Sequence, residues 1–192
     1  MAIRIDRVVT RGGDAGMTSL GTGARVRKDS LRVAVFGTVD EANAAIGLIR
    51  LHTQEKRLAE DAMLARIQND LFDLGADLCA PEAEGEEPGT RLRIEDNMIL
   101  RLEAEVEALN ETLPPLSSFV LPGGTAAAAH THLARTIVRR AERMAVALAA
   151  EETVNPLVIR YLNRLSDHLF VLSRALNADS GREVAWVPRG SR

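Results

Sequence analysis

Apolar residues at three- and four-residue spacing recur along most of the chain, and they constrain its fold more than any other feature of the sequence. The clearest stripe comprises Leu162, Leu165, Leu169, Leu172 and Leu176. Residues with this spacing share one face of an α-helix, and that face must pack against other helices to leave water. Only 3% of the residues are aromatic, and the apolar residues are mostly alanine and leucine, which favour helix. The sequence therefore predicts an all-α protein without a β-sheet.

Capping and helix-breaking residues delimit five predicted helices. The first is predicted from Thr38, which would form a capping box with Glu41, to about residue 52. The second and third are predicted over about residues 56–79 and 95–113. The fourth follows a predicted cap at Thr125 and ends near residue 151, and the fifth follows a predicted cap at Asn155.

Short connections between these helices indicate a five-helix antiparallel bundle. The 192 residues suit a single domain over residues 1–192, with a glycine-rich loop at 1–30, an acidic interhelical loop at 81–93 and a tail at 178–192. The acidic loop combines prolines, glycines and carboxylates, and is predicted to be solvated.

The charge balance and the cysteine and histidine content exclude several classes of protein. Lysine and arginine number 24 against 27 aspartates and glutamates, so no global positive field would attract nucleic acid or a membrane surface. No apolar run approaches the roughly 18 residues of a membrane span, and Cys79 has no partner for an internal disulfide. None of the four histidines follows a glutamate by three residues, as the di-iron sites of ferritin-like bundles require. We expect a cytoplasmic protein that binds neither nucleic acid nor membrane.

The segment from Thr10 to Ser30, TRGGDAGMTSLGTGARVRKDS, combines glycines with cationic and hydroxyl side chains. Glycines let backbone N–H groups approach an anion, and the cations can neutralise phosphate charge. The segment fits neither the Walker pattern nor the dinucleotide fingerprint. From the residues alone, a phosphate-binding loop and a flexible basic arm are equally supported.

A ladder of arginines lies on the predicted fourth helix. Arg135, Arg139 and Arg143 are four residues apart, which places three guanidinium groups on one helix face. Like charges at this spacing repel, so the pattern favours a carboxylate or polyanion partner over a simply solvated face. Asp40 is a candidate carboxylate partner.

Polar residues also interrupt the leucine stripe of the fifth helix, in the segment YLNRLSDHLF. Asn163 and Asp167 are four residues apart and share a face. Taken alone, this segment favours an interhelical hydrogen-bond network in which His168 is structural.

Five segments in order resemble the PduO-type ATP:cob(I)alamin adenosyltransferases: TRGGDAGMTSLGTGARVRKDS, VFGTVDEANAAIG, FVLPGGTAAAAH, RTIVRRAER and RYLNRLSDHLFVLSRALN. The resemblance implies a ferritin-like five-helix bundle that assembles as a homotrimer, with ATP and a corrinoid bound between subunits. It implies transfer of the 5′-deoxyadenosyl group of ATP to the cobalt of cob(I)alamin, with release of triphosphate. Mg²⁺ is expected to accompany ATP. A reductase that supplies cob(I)alamin from cob(II)alamin, and enzymes that use adenosylcobalamin, are expected partners.

The resemblance also implies roles for individual residues. Those implied to bind ATP are Thr10, Arg11, Gly12, Gly13, Thr18, Lys28, Arg139, Arg140, Glu142, Arg143 and Asn163. Arg139 is the implied main contact to the departing triphosphate, and Asp40 and Arg135 correspond to a pair that bridges subunits in the family. Phe119 is implied to crowd the lower face of the corrin and Phe170 to line the same pocket. Metal ligands from protein side chains are not expected.

The chemistry explains why the sequence offers no obvious nucleophile. In the reaction that the resemblance implies, cobalt(I) itself attacks the ribose carbon, so the protein would need to supply alignment and charge stabilisation. The alternative is a non-catalytic ATP-binding sensor, or a helical-bundle interaction protein, that retains this fold. The tail after Asn177 matches the family poorly, and the sequence assigns no role to Trp186.

Overall fold

The computed structural model describes residues 9–189 except for residues 57, 84 and 88. A short antiparallel hairpin precedes five helices, and a single 3₁₀ turn follows them. The elements are β1 (Met17–Ser19), β2 (Arg25–Arg27), α1 (Leu31–Glu55), α2 (Glu60–Cys79), α3 (Asp96–Asn110), α4 (Ala126–Ala149), α5 (Pro156–Ala175) and the 3₁₀ turn Ala178–Ser180. None of the helices described is long and apolar enough to cross a membrane.

The helices alternate in direction along the chain, as the short connections predict. Helix α1 packs against α2 and α4, and α5 packs against α4 and α3. Helices α3 and α5 run parallel, because Arg160 contacts Asp96 near the start of both helices and Arg164 contacts Glu103 farther along both. The predicted antiparallel bundle is thus confirmed for consecutive helices, with one parallel pair as the geometric consequence of an odd number of helices.

The apolar stripes form the core of the bundle. In α5 the leucines of the stripe up to Leu172 are fully buried, and Leu176 packs against the same cluster. Polar side chains beside this stripe join the helices. His168 Nε2 lies 2.9 Å from a Glu105 carboxylate oxygen of α3, and the Tyr161 hydroxyl donates to Asp70 of α2 at 2.8 Å. The predicted interhelical network and the structural role of His168 are confirmed.

The local caps explain which helix boundaries the sequence predicts well. Thr125 Oγ1 accepts from the Ala128 N–H at 3.2 Å, and Asn155 Oδ1 accepts from the Leu157 N–H at 3.0 Å. Both predicted caps are confirmed. The predicted start of α1 at Thr38 is wrong, because the helix begins at Leu31 and the Thr38 hydroxyl donates back to the Ala34 carbonyl at 2.8 Å.

One further prediction needs correction. Strands β1 and β2 form a two-stranded sheet in which Thr18 pairs with Val26, so the expectation of no sheet is wrong for the glycine-rich segment. The acidic loop is anchored by Arg93, whose guanidinium donates to both oxygens of Glu86 and to the side chain of Asp77. These ion pairs fix the loop against the C-terminal end of α2, while most of its described residues are exposed, as predicted for a solvated loop.

Candidate active site

The glycine-rich segment is an ordered hairpin attached to the end of α2. Gly21 N–H donates to the Cys79 carbonyl at 2.8 Å, and Leu20 is buried beside it. Arg25 on β2 donates to the Gly12 carbonyl at 2.6 Å and to the Ser19 hydroxyl at 3.2 Å. These contacts shape the turn at residues 10–16. Of the two alternatives that the sequence supported equally, the structure has an ordered loop rather than a flexible arm.

Within this hairpin, glycine and lysine lie in direct contact. A Cβ atom on Gly13 would lie 2.8 Å from the Lys28 Nζ, so the ammonium group lies directly against the turn. Arg11 adopts a φ of 60°, a left-handed conformation uncommon for a residue with a side chain. Thr10 and Gly12 are exposed and Thr18 is half-buried. The turn therefore presents backbone N–H groups, a hydroxyl and cations to solvent.

The arginine ladder lies on α4 as predicted, and its members and the neighbouring Arg140 have different partners. Arg140 forms an ion pair with Glu41 of α1, and Arg143 donates to the Arg139 carbonyl at 3.0 Å. The exposed guanidinium of Arg139 has no hydrogen bond or ion pair to any residue that the structure describes. The guanidinium of Arg139 is therefore available to an external anion without breaking a contact among the described residues.

Asn163 of α5 completes this polar face. Its amide nitrogen donates to Glu142 of α4 at 2.8 Å, which joins α4 to α5. Its amide oxygen is 3.4 Å from an Arg164 nitrogen. The hydrogen bonds orient the amide beside the ladder, where the resemblance places part of the ATP site.

The hairpin is not bonded to the ladder within the described part of one chain. Across the described part of the chain, no hydrogen bond or ion pair joins residues 10–30 to Arg139, Arg143 or Asn163. Nor does one join Arg135 to Asp40, which is exposed on α1. The residues implied for ATP are therefore held by two independent sets of contacts, one in the hairpin and one on α4 and α5.

An open apolar cavity of about 730 Å³ lies where α5 approaches the C-terminal segment. The residues that line it are Leu116, Ser117, Ser118, Phe119, Phe170, Trp186, Val187 and Pro188. Phe119 is 79% exposed, and its ring centroid is 6.3 Å from that of Trp186 in an edge-on arrangement. Exposed apolar surface of this extent is typical of a site for a large apolar ligand or a partner. The two phenylalanines implied for the corrin thus share one cavity.

Arg135 connects the cavity to the ladder. Its guanidinium lies over the Phe170 ring, 5.9 Å from the centroid, within the range of a cation–π contact. Its Nε is buried without a hydrogen-bond partner among the described residues. Burial, aided by repulsion from Arg139, lowers the pKa of Arg135 from its ordinary value. Burying the positive charge of Arg135 therefore costs desolvation free energy, which a carboxylate partner would offset.

Trp186 is the functional candidate that sequence reasoning missed. The backbone N–H of Trp186 donates to the Phe119 carbonyl at 2.6 Å, and the Trp186 backbone carbonyl accepts from the Ser118 hydroxyl at 2.7 Å. These contacts make the tail one wall of the cavity. The sequence near Trp186 gives little indication of this role, because the residue pairs with a segment more than sixty residues away in sequence.

The fold and site define a class of protein: a helical bundle that carries a cationic, phosphate-compatible face and an apolar site for a large ligand. Residues 8–176 match the cobalamin adenosyltransferase family model. The chain belongs to this family, whose curated members are transferases.

Full-length relatives support this assignment. A corrinoid adenosyltransferase of Mycobacterium tuberculosis is 47% identical over 195 residues, covering 100% of this chain and 98% of that protein. A cobalamin adenosyltransferase of Cupriavidus metallidurans is 46% identical over 189 residues, covering 97% of each protein.

Solved structures agree with the observed fold. A phenylalanine-to-histidine variant of a PduO-type ATP:corrinoid adenosyltransferase from Lactobacillus reuteri, complexed with cobalamin and ATP, superposes with a TM-score of 0.84 at 33% identity. The match covers 97% of this chain and 98% of that one. An arginine-to-lysine variant from the same organism, complexed with ATP, gives a TM-score of 0.83 at 34% identity, covering 94% of this chain and 100% of that one.

Proposed function

We propose that this protein transfers the 5′-deoxyadenosyl group of ATP to the cobalt of a corrinoid, cob(I)alamin being the reduced substrate, and releases triphosphate. The observation that carries the proposal is the apolar cavity at Phe119 and Phe170, which lies next to the arginine ladder in a chain with full-length adenosyltransferase relatives. A nucleotide site alone would not require the cavity. A corrinoid site alone would not require the ladder.

The chain's residues contribute positioning and electrostatics. Cobalt(I) attacks the ribose C5′ and the bond from C5′ to the triphosphate oxygen breaks, so negative charge develops on the leaving group. Arg139, with no partner among the described residues, contacts that charge, and Arg143 and Lys28 add to its stabilisation. Thr10 to Gly13 and Thr18 supply backbone and hydroxyl donors to the phosphates. Asn163 and Glu142 orient the remainder of the nucleotide.

We assign the corrinoid to the aromatic cavity. Phe119 packs against the lower face of the corrin and excludes a lower axial ligand, which leaves a four-coordinate cobalt(II) that is easier to reduce. Phe170 and Trp186 line the same cavity.

Assembly as a homotrimer would unite the two halves of the nucleotide site. No hydrogen bond or ion pair links the hairpin to the ladder among the described residues, and neither the half-buried Arg135 nor the exposed Asp40 has an ion-pair partner there. An intersubunit pair between them would bring the hairpin of one subunit to the ladder of the next. Sedimentation of the purified protein as a monomer at assay concentration would contradict this assembly.

The altered residues of the Lactobacillus reuteri proteins support these roles. The phenylalanine and the arginine replaced there are twenty residues apart, the same spacing that separates Phe119 from Arg139. Both proteins were complexed with ATP and one of the two with cobalamin.

Three finer assignments belong to the same proposal. Mg²⁺ binds through the phosphates of ATP, where it would neutralise charge on the leaving group. A reductase supplies the cobalt(I) substrate, and adenosylcobalamin-dependent enzymes consume the product. The location is cytoplasmic. The alternative of a non-catalytic sensor or interaction protein is not favoured, because the full set of motifs is present together with the cavity.

An anaerobic assay with ATP and chemically reduced cobalamin tests the proposal. Adenosylcobalamin formation, followed by the visible spectrum and by release of triphosphate, is the expected result. Binding of ATP without adenosylcobalamin would favour the sensor. Absence of any response to cobalamin would refute the assignment of the cavity.

A further inference from the structure

The segment that carries Phe119 is held at both ends by residues at the end of α5. At one end, Arg174 is buried and donates to the Pro114 carbonyl at 2.8 Å. The same guanidinium donates to Glu183 of the tail at 3.1 Å. One side chain therefore fixes both polypeptide segments that go on to form the cavity walls.

At the other end, Asn177 holds the turn at residues 123–125. The Asn177 side chain is 3% exposed, its amide nitrogen donates to the Gly123 carbonyl at 3.0 Å, and its amide oxygen accepts from the Thr125 N–H at 2.9 Å. Gly124 lies between these contacts with a φ of 102°, and a Cβ at this position would overlap the Asn177 amide. The turn is thus closed on the amide so tightly that glycine is required.

Between these two attachments, the segment pairs with the tail through its backbone. Leu121 N–H donates to the Val184 carbonyl at 2.8 Å, beside the pairing of Phe119 with Trp186. The Phe119 side chain is mostly exposed, so packing does not fix its position. The backbone that carries it has to be fixed instead.

We propose that Asn177 is a positioning residue for the corrinoid, acting through the turn at 123–125 on Phe119. This inference rests on the proposed function. Asn177 does not line the cavity, and it also fixes Thr125, the N-cap of the helix that carries the arginine ladder. Because the cap keeps its own bonds to Ala128 and to the Leu176 carbonyl, loss of the amide should displace the turn more than the helix.

Asn177→Ala tests the proposal, with Asn155→Ala as the matched control. Asn155 lies at the opposite end of α5, where its amide nitrogen donates to Asp77 and to the Ile94 carbonyl. We expect Asn177→Ala to raise KM for the corrinoid at least about tenfold, in line with the cost of small misplacements at a reacting centre. KM for ATP should stay within about twofold of the wild-type value. The intensity of the four-coordinate cobalt(II) spectrum should fall. Asn155→Ala should leave both KM values and the signal unchanged.

Several results would overturn the proposal. One is an unchanged KM for the corrinoid in Asn177→Ala, and another is an equal rise in both KM values. A corrinoid defect of the same size in Asn155→Ala would also overturn it, by showing a general loss of stability. If Asn177→Ala does not fold, Asn177→Asp takes its place, since it keeps the acceptor for Thr125 and loses the donor to Gly123.

The tryptophan fluorescence separates this inference from the proposed function. Trp186 is the single tryptophan of the chain, so its emission reports the cavity wall whether or not the protein is active. We expect a red shift in Asn177→Ala and none in Asn155→Ala. An unshifted spectrum would contradict the positioning role in an active enzyme, whereas wild-type protein that fails to adenosylate cobalamin would refute the function alone.

Discussion

Replacement of Arg139 by alanine should separate catalysis from folding. The exposed guanidinium has no hydrogen bond or ion pair among the described residues, so its loss should change the free energy of unfolding by no more than about 0.5 kcal/mol. The carbonyl of residue 139 still accepts from Arg143. A charge contact made to the leaving group in the transition state is worth about 2.7–4 kcal/mol, so turnover should fall by about 10²- to 10³-fold.

The assay is anaerobic adenosylation at saturating ATP, with thermal unfolding measured in parallel. Arg160→Ala is the control, because this exposed arginine pairs with Asp96 of α3 at 2.9 Å and has no role implied in the nucleotide site, while its loss removes the same charge. Arg139→Lys should recover part of the turnover by restoring charge without the planar donor pair. Near-normal turnover of Arg139→Ala, or an equal loss in Arg160→Ala, would refute the leaving-group role.

Three other perturbations have defined outcomes. Phe119→Ala should leave ATP binding intact while abolishing the four-coordinate cobalt(II) spectrum, and persistence of that spectrum would exclude the role of the ring. Tyr161→Phe should lower the free energy of unfolding by about 1–3 kcal/mol in denaturant titrations, because buried Asp70 loses a donor, while turnover is unchanged. Burial raises the pKa of Glu105, but hydrogen bonds from His168 and Arg66 outweigh it and hold the pKa below the ordinary 4.5. The stabilisation is therefore complete above that value and lost as the pH falls through the folded-state pKa, and Glu105→Gln should flatten the acid limb of a stability–pH curve.

The features predicted from sequence are those encoded locally. Thr125 and Asn155 each cap a helix through their own side chains, so residue type and position sufficed. Ser30 precedes α1 without a side-chain cap, and Gly37 lies inside the helix, so the true start at Leu31 gave no local signal.

The features that the sequence missed depend on distant contacts. Trp186 acquires a role only by pairing with Phe119, and Asn177 only by closing on the turn at 123–125. The strands of the hairpin have three residues each, too few for an alternating pattern to be recognised. The two halves of the proposed nucleotide site would meet only between subunits. The spacing of its residues along one chain therefore could not locate the site.

The early start of α1 restricts how the length of this chain can vary. Two residues separate Lys28 from the first residue of the helix, Leu31, and Asp40 lies within the helix. One inserted residue would turn the hairpin by about 100° and shift it by about 1.5 Å relative to Asp40. An insertion there would misdirect the cations of the hairpin, whereas the loops at residues 56–59 and 81–93 can absorb extra residues. Homologous chains should therefore keep a constant length between the residues equivalent to Lys28 and Asp40.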